Sequence, residues 1–512
     1  MIILIFFLLS ILFITFLITR YKRVKHRPPL PPGPKPLPYI GSLITMLRNR
    51  PTFRWIHRMM DEMNTKIICI RVGNVHVIAV SDAKIACEFL KDKDEIFSSR
   101  PESMSSYLTS KGYLDAALVT TAGDYWKQLR RILATKILSE SRLKWLKNKR
   151  DAEADHLIRY IYKQCDTKGV MNVRSIAKQY TGNVIKNMAF GSRYIGKGNA
   201  DGGLGEEDIE HSNSLAVIPL HVFAFCATDY FPWLRWRTDF DGHERIIRNA
   251  LGIIRKYQDP LIDERIQRWK DGVRTEENDL LDVYINLRNP RLTSDQIKAQ
   301  MLDLMLASFD NTSNCVEWAI AEMIKEPKIF EKAVHELDLV VGKDRLVQES
   351  DLVHLNYIKA CLREAFRLHP VSPFNLPHVS SVDTVVAGYF IPKGSHLLVS
   401  RRGLGRDPEI WDDPLKFNPD RHINGDNEVV LTDNNLHLLS FGTGRRGCPG
   451  VVLGSTITVM LMARLVQGFT WELPPNEPHV DLNENVRNLW KAKPLLALVK
   501  PRLPQHLYTT ST

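Results

Sequence analysis

Phe441-Gly442-Thr443-Gly444-Arg445-Arg446-Gly447-Cys448-Pro449-Gly450 is the stretch that decides how this chain is read. One cysteine stands in a glycine-rich loop, with an arginine two residues before it and a glycine two residues after it. Metal coordination deprotonates a thiol, and backbone N–H groups of a tight turn can hydrogen-bond the sulfur and tune it. Gly444, Gly447 and Gly450 permit positive φ or close approach of the backbone to a flat cofactor. Arg446 is spaced to meet an acidic group on that cofactor. A lone cysteine among glycines is most often a small buried hydrophobe. The whole unit Phe-x-x-Gly-x-Arg-x-Cys-x-Gly, opened by Phe441, is far more specific.

Composition narrows the class. The chain has 512 residues, 44% hydrophobic and 25% charged, within reach of one large enzyme domain. Its seven cysteines are scattered and form no CxxC pair, which excludes a disulfide framework or a zinc site and suits a reducing compartment. The net charge is +11, but ten Lys/Arg and no acid fall in residues 1–60. The rest is nearly neutral, so no nucleic-acid partner is indicated.

Residues 1–19 carry no charge and are almost wholly apolar. At about 1.5 Å per residue they come close to crossing a hydrocarbon core of about 30 Å. No basic region precedes them and no small-residue cleavage site follows, which argues against a cleaved signal. Arg20, Lys22, Arg23, Lys25 and Arg27 follow, so by the positive-inside rule the rest of the chain is cytoplasmic and the N-terminus lumenal. The expectation is a transmembrane anchor (1–19), a basic and proline-rich hinge (20–38) and one globular domain (39–512). Prolines such as Pro28, Pro31 and Pro34 favour a stiff, extended spacer. Beyond it, Ile67–Ser81 reads as a β-hairpin about Gly73-Asn74, and a second β-rich patch lies near Val385–Val399. Helical periodicity dominates 120–370, with long segments at 250–270, 295–325 and 355–368, and Val452–Gln467 after the cysteine loop. The fold class expected is mainly α with a small β lobe.

Further motifs accompany the loop. Glu364 and Arg367 stand at i and i+3 of one helix, where acid and base share a face. Phe417-Asn418-Pro419-Asp420-Arg421-His422 lies about twenty residues before the loop, and Trp126-x-x-x-Arg130 lies far upstream. Together these resemble the cytochrome P-450 superfamily. The resemblance implies its fold, haem b with Cys448 as the axial metal ligand, and a structural triad of Glu364, Arg367 and Arg421 supporting the haem loop. It also implies that Trp126, Arg130 and Arg446 hold the haem propionates. His378 falls where many relatives have Arg, with the same role or that of a buried neutral histidine.

In typical members an Ala-Gly-x-Asp-Thr stretch bends a long helix over the haem, and its acid and hydroxyl guide water and protons to dioxygen. Here Asp310 matches the acid, Asn311 falls at the Thr, and Ser308 replaces the Gly. An amide hydrogen-bonds but cannot pass a proton as a hydroxyl does. Asp310, Asn311 and Thr312 are therefore the catalytic candidates, although Thr312 and Ser313 fall on other helix faces than Asn311.

Asn at this position resembles the plant aldoxime-forming branch, the amino-acid N-monooxygenases. Ile297-Lys298-Ala299-Gln300, Pro373-Phe374-Asn375-Leu376-Pro377-His378-Val379, Arg421-His422 and Asp229-Tyr230-Phe231-Pro232-Trp233 fit that branch. Two departures stand out: Thr312 where the branch usually has Pro, and Gly442 where it usually has Ser. The resemblance implies an NADPH- and O2-dependent monooxygenase on the endoplasmic reticulum membrane, fed by the membrane-bound NADPH–cytochrome P-450 reductase. It hydroxylates an L-amino acid twice at nitrogen and releases an aldoxime after dehydration and decarboxylation. Ser105–Thr121 and Phe374-Asn375 are the expected pocket walls. The C-terminal Pro501–Tyr508 stretch resembles crucifer members that feed glucosinolate synthesis. A conventional plant hydroxylase of a terpenoid or phenylpropanoid, and a haem-thiolate isomerase or dehydratase, are the alternatives.

Overall fold

β-branched residues flank Gly73 and Asn74, and the chain reverses there with Gly73 at φ 59. This gives the antiparallel pair β1 (Ile67–Val72) and β2 (Val75–Val80). The computed structural model describes residues 27–509, apart from 223, 232, 234–238, 240 and 426. The expected anchor, the first part of the basic segment and part of the 229–236 stretch lie outside the described residues.

Seven further strands complete three small sheets: β3 (Val170–Asn172), β4 (His378–Val379), β5 (Thr384–Val386), β6 (Tyr389–Ile391), β7 (His396–Val399), β8 (Phe469–Glu472) and β9 (Leu496–Pro501). The largest has the order β1-β2-β7-β4, with β2 and β7 parallel and its other pairs antiparallel. Side chains alternate between faces along a strand. Ile67, Cys69, Ile78 and Val80 accordingly enter one core, and Ile68, Ile70, Val77 and Ala79 another. Both faces are covered, so the strands read as near-continuous apolar runs. The proline-rich segment is extended, as its prolines require, and lies along this lobe. Pro32 O accepts the Cys69 N–H at 2.8 Å, and Pro29 O accepts that of Phe390 at 2.8 Å.

The remaining mass is helical. The central helix, Ser294–Lys325, has 32 residues and is about 48 Å long. Thr293 and Gln296 cap its start reciprocally, through Gln296 N to Thr293 Oγ1 (3.2 Å) and Thr293 N to Gln296 Oε1 (2.8 Å). Three helices are fastened to its middle. From Val173–Phe190, Thr181 Oγ1 donates to Phe309 O at 3.1 Å, and the absence of a side chain at Gly182 admits the Phe309 ring. From Val451–Gly468, the helix after the cysteine loop, Thr458 Oγ1 meets Thr312 Oγ1 at 2.9 Å. From Asn356–Leu368, Leu362 O accepts from Cys315 Sγ at 3.6 Å. Val451–Gly468 is apolar and long enough to cross a membrane, but 72% of it is buried in the protein, so it is a core helix.

The C-terminal stretch closes the helical body. The Tyr508 ring stacks on Tyr162 at 4.6 Å, its hydroxyl donates to Gly468 O, and it accepts the N–H groups of Arg502 (3.0 Å) and Leu503 (2.8 Å). Tyr508→Phe strands those buried groups at a cost of about 1–3 kcal/mol. The midpoint of thermal unfolding should fall by a few degrees, with the absorption spectrum of the bound cofactor unchanged.

Candidate active site

Acid and base three residues apart on the Asn356–Leu368 helix meet at a fully buried position. Arg367 Nε and Nη2 donate to Glu364 Oε2 and Oε1 at 2.8 and 2.7 Å. Arg421 Nε reaches Glu364 Oε1 at 3.1 Å and His422 Nε2 lies 2.7 Å from Oε2. The structure thus brings Glu364, Arg367 and Arg421 together and adds His422. Burial opposes ionisation of Glu364, but Arg367 and His422 outweigh it and hold its pKa at about 2. Arg367 also donates to Gly405 O and, at 2.7 Å, to Pro414 O, pinning the segment that leads to Arg421.

The same helix carries Phe366, whose ring meets Phe441 edge-on at 5.9 Å. Phe441 O accepts the Cys448 N–H at 2.8 Å, closing the loop on itself. Gly442 and Gly444 hold positive φ, 69 and 67. A Cβ on Gly444 would lie 2.2 Å from Leu90 O. Gly447 is confined by close approach alone, its Cβ position lying 3.1 Å from Gly444 O. Gly450 needs neither; its N–H lies 3.3 Å from Cys448 Sγ and points a donor at the sulfur. Burial pushes the Cys448 thiol up, against the pull of that N–H and of Arg130 and Arg401. Yet Cys448 keeps accessible surface, which leaves the residue open to a ligand.

Cations gather around this cysteine. Arg446 passes over the Trp126 ring at 4.4 Å and donates to Ser98 O (2.6 Å) and Val119 O (2.9 Å). Burial and the neighbouring Arg130 lower it to about 10. Arg130 is half-buried and makes no ion pair among the described residues. Arg401 is lowered to about 10 by burial, and its Nε has no partner. Arg100 is buried, donates to Leu376 O (2.8 Å) and Pro377 O (2.9 Å), and is repelled by Arg446 and Arg130. The Trp126 Nε1–H is buried without an acceptor. Three of these guanidiniums, of Arg100, Arg130 and Arg446, sense two carboxyls, Asp115 and Asp303, and the indole N–H is left orphaned. A flat group with acidic substituents, ligated by Cys448, fits these donors; haem would be such a group, with Trp126, Arg130, Arg446 and Arg100 available to its propionates.

His378 is buried beside Arg100 and Arg446, and its Nδ1 lies 2.6 Å from Phe97 O. Burial and these arginines push its pKa well below the ordinary value, so it is neutral. Phe374 stacks flat on His57 at 4.9 Å in the β lobe, and Asn375 Oδ1 accepts the Val399 N–H at 2.8 Å. Both side chains are committed to the lobe's packing. The central helix divides the other candidates by face. Asn311 is exposed on the same stripe as Asp303 and Ala307, and its Nδ2 donates to Ala307 O at 2.8 Å. Asp310 turns away to Lys178, 3.0 Å distant, and Thr312 turns to Thr458. Arg100, Arg401, Asp115, Asp303 and His422 escape a motif reading. Only His422, adjacent to Arg421, carries a local signal.

Glu364→Gln leaves Arg367 buried without its counter-charge, a cost of about 3–5 kcal/mol. Haem loading, read from the carbon-monoxide difference spectrum, should fall sharply. The pH dependence has a definite sign. The Glu364 carboxyl drops from 4.5 to about 2 on folding, so its stabilisation is complete above pH 4.5 and is lost as pH falls toward 2. Acid-unfolding curves of Glu364→Gln should lack that part of the slope.

Residues 31–499 match the cytochrome P450 family. A tryptophan N-monooxygenase from Prunus mume is 51% identical over 94% of this chain and 91% of that protein. A phenylalanine N-monooxygenase from Arabidopsis thaliana is 50% identical over 94% and 93%, and valine N-monooxygenase 1 from Manihot esculenta 51% over 94% and 89%. With its cysteine loop, cation ring and buried Glu364 cluster in place, this chain belongs to the cytochrome P450 family and, within it, to the branch of plant amino-acid N-monooxygenases.

Proposed function

We propose that this protein hydroxylates the α-amine of an L-amino acid twice and releases the corresponding aldoxime. The observation that carries this reading is the similarity, at about half identity over nearly the whole chain, to relatives named N-monooxygenases of tryptophan, phenylalanine and valine. Haem bound through Cys448, with electrons from NADPH delivered by a reductase, supplies the activation of dioxygen.

The chain's own residues then do the rest. Cys448 is the thiolate ligand, and the Gly450 N–H tempers its charge. Arg130 and Arg446, joined by Arg100, would neutralise the acidic edge of the cofactor, and the Trp126 N–H would donate a hydrogen bond to it. Asn311 sets its amide on the face toward the substrate, with Oδ1 left as an acceptor once Nδ2 is bonded to Ala307 O. Asp310 and Thr312 hold that turn from behind, through Lys178 and Thr458. The apolar run 1–19 and its basic flank support a single-pass anchor in the endoplasmic reticulum, with the catalytic domain cytoplasmic beside the reductase. An aldoxime made there serves glucosinolate or related defence chemistry, a reading supported by the C-terminal stretch.

Membranes holding this protein and a plant reductase, given NADPH and each protein amino acid, should yield an aldoxime from one or a few of them, detected by mass. Normal haem loading with no aldoxime from any amino acid would overturn the reading. Asn311→Ala should lower aldoxime formation roughly 10²-fold while leaving the carbon-monoxide spectrum intact.

A further inference from the structure

The central helix is buried on most sides along its middle turns. Leu302, Leu304, Met305, Phe309, Asp310 and Thr312 are all buried. Asp303, Ala307 and Asn311, at i, i+4 and i+8, retain accessible surface and form one stripe toward the interior. Asp303 thus stands on the substrate face two turns before Asn311, about 12 Å along the axis.

Asp303 makes no ion pair among the described residues; its protein partners are the backbone N–H groups of Ala116 and Ala117. The charged and titratable groups that sense it are Arg130, Asp115, Tyr284 and Cys448. Arg130 is already assigned to the acidic edge of the cofactor. Asp115, whose Oδ1 accepts the Leu118 N–H at 2.7 Å, is pushed well above the ordinary range by burial and by Asp303. Burial raises Asp303 to about 6, and the Ala117 and Ala116 N–H groups and Arg130 oppose that rise. Docking of the 114–119 loop does not account for a charge there. Gln300 Nε2 and Tyr125 Oη already hold Leu114 O at 2.8 and 2.9 Å, and a neutral amide would accept the same N–H groups.

An interior carboxylate without a cation is costly unless a ligand brings one. We propose that Asp303 is the specificity-determining residue that receives the α-ammonium group of the amino-acid substrate, through a charge-assisted hydrogen bond in the space between Asp303 and Asn311. This rests on the amino-acid reading given above.

The test uses the full-length, haem-loaded protein and the spectral shift of the haem on ligand binding. The two ligands are the amino acid that yields aldoxime and its α-hydroxy acid analogue, which lacks the ammonium group. Asp303→Asn should raise the Kd of the amino acid about tenfold to hundredfold and leave that of the hydroxy acid unchanged. Asp303→Glu should recover part of the preference. Equal weakening of both ligands, or no weakening, sinks the assignment. So does loss of haem loading in both variants, which would make Asp303 a loop-docking residue. A wild type that makes no aldoxime fails the underlying reading instead. Aldoxime formation with unaltered selectivity in Asp303→Asn fails only this one.

Discussion

One buried carboxylate carries the geometry of the site. Glu364 has both oxygens engaged, by Arg367, Arg421 and His422, and it also accepts the Asn418 N–H at 2.9 Å. A charge at zero exposure is tolerable only with every partner present. The cluster therefore acts as a single unit. It joins the Asn356–Leu368 helix to the 405–422 segment, and Phe366 on that helix braces Phe441 at the mouth of the cysteine loop. The sulfur's position is set by groups that never approach it.

A second constraint is electrostatic. Burial lowers the pKa values of Arg100, Arg130, Arg401 and Arg446, and repulsion between neighbouring arginines adds to it at Arg100 and Arg446. The field that disfavours these cations favours negative charge among them, both on the sulfur and on the cofactor's acidic edge. Asp303 and Asp115 answer only part of it, so the site keeps an excess of positive charge for the cofactor's acidic groups.

What the sequence discloses and what it hides divide along physical lines. The hairpin at Gly73, the Trp126–Arg130 helix, Glu364–Arg367 and the cysteine loop are legible because their chemistry is local. Turn geometry and helix period place those partners whatever the rest of the chain does. Asp310, Asn311 and Thr312 read as catalytic candidates, with Thr312 on another helix face than Asn311; rotation of about 100° per residue sends Asp310 to Lys178 and Thr312 to Thr458 and leaves Asn311 exposed. Phe374 and Asn375 read as pocket walls by analogy. Pairing beside β7 instead commits Asn375 to Val399, and stacking commits Phe374 to His57. Arg100 and Asp303 were not legible at all, because the meaning of each lies in partners brought from elements far apart in the chain.

Thr312 has a mechanical consequence. Proline, usual here in this branch, lacks an N–H and interrupts a helix from within. With threonine the central helix runs unbroken through its active turn, and its hydroxyl is bonded to Thr458 on the helix that follows Cys448. The helix that carries Asn311 and the helix that follows the cysteine loop are therefore tied by a side-chain hydrogen bond at this point. A shift of either, as substrates of different bulk enter, is shared by the other rather than absorbed at a hinge.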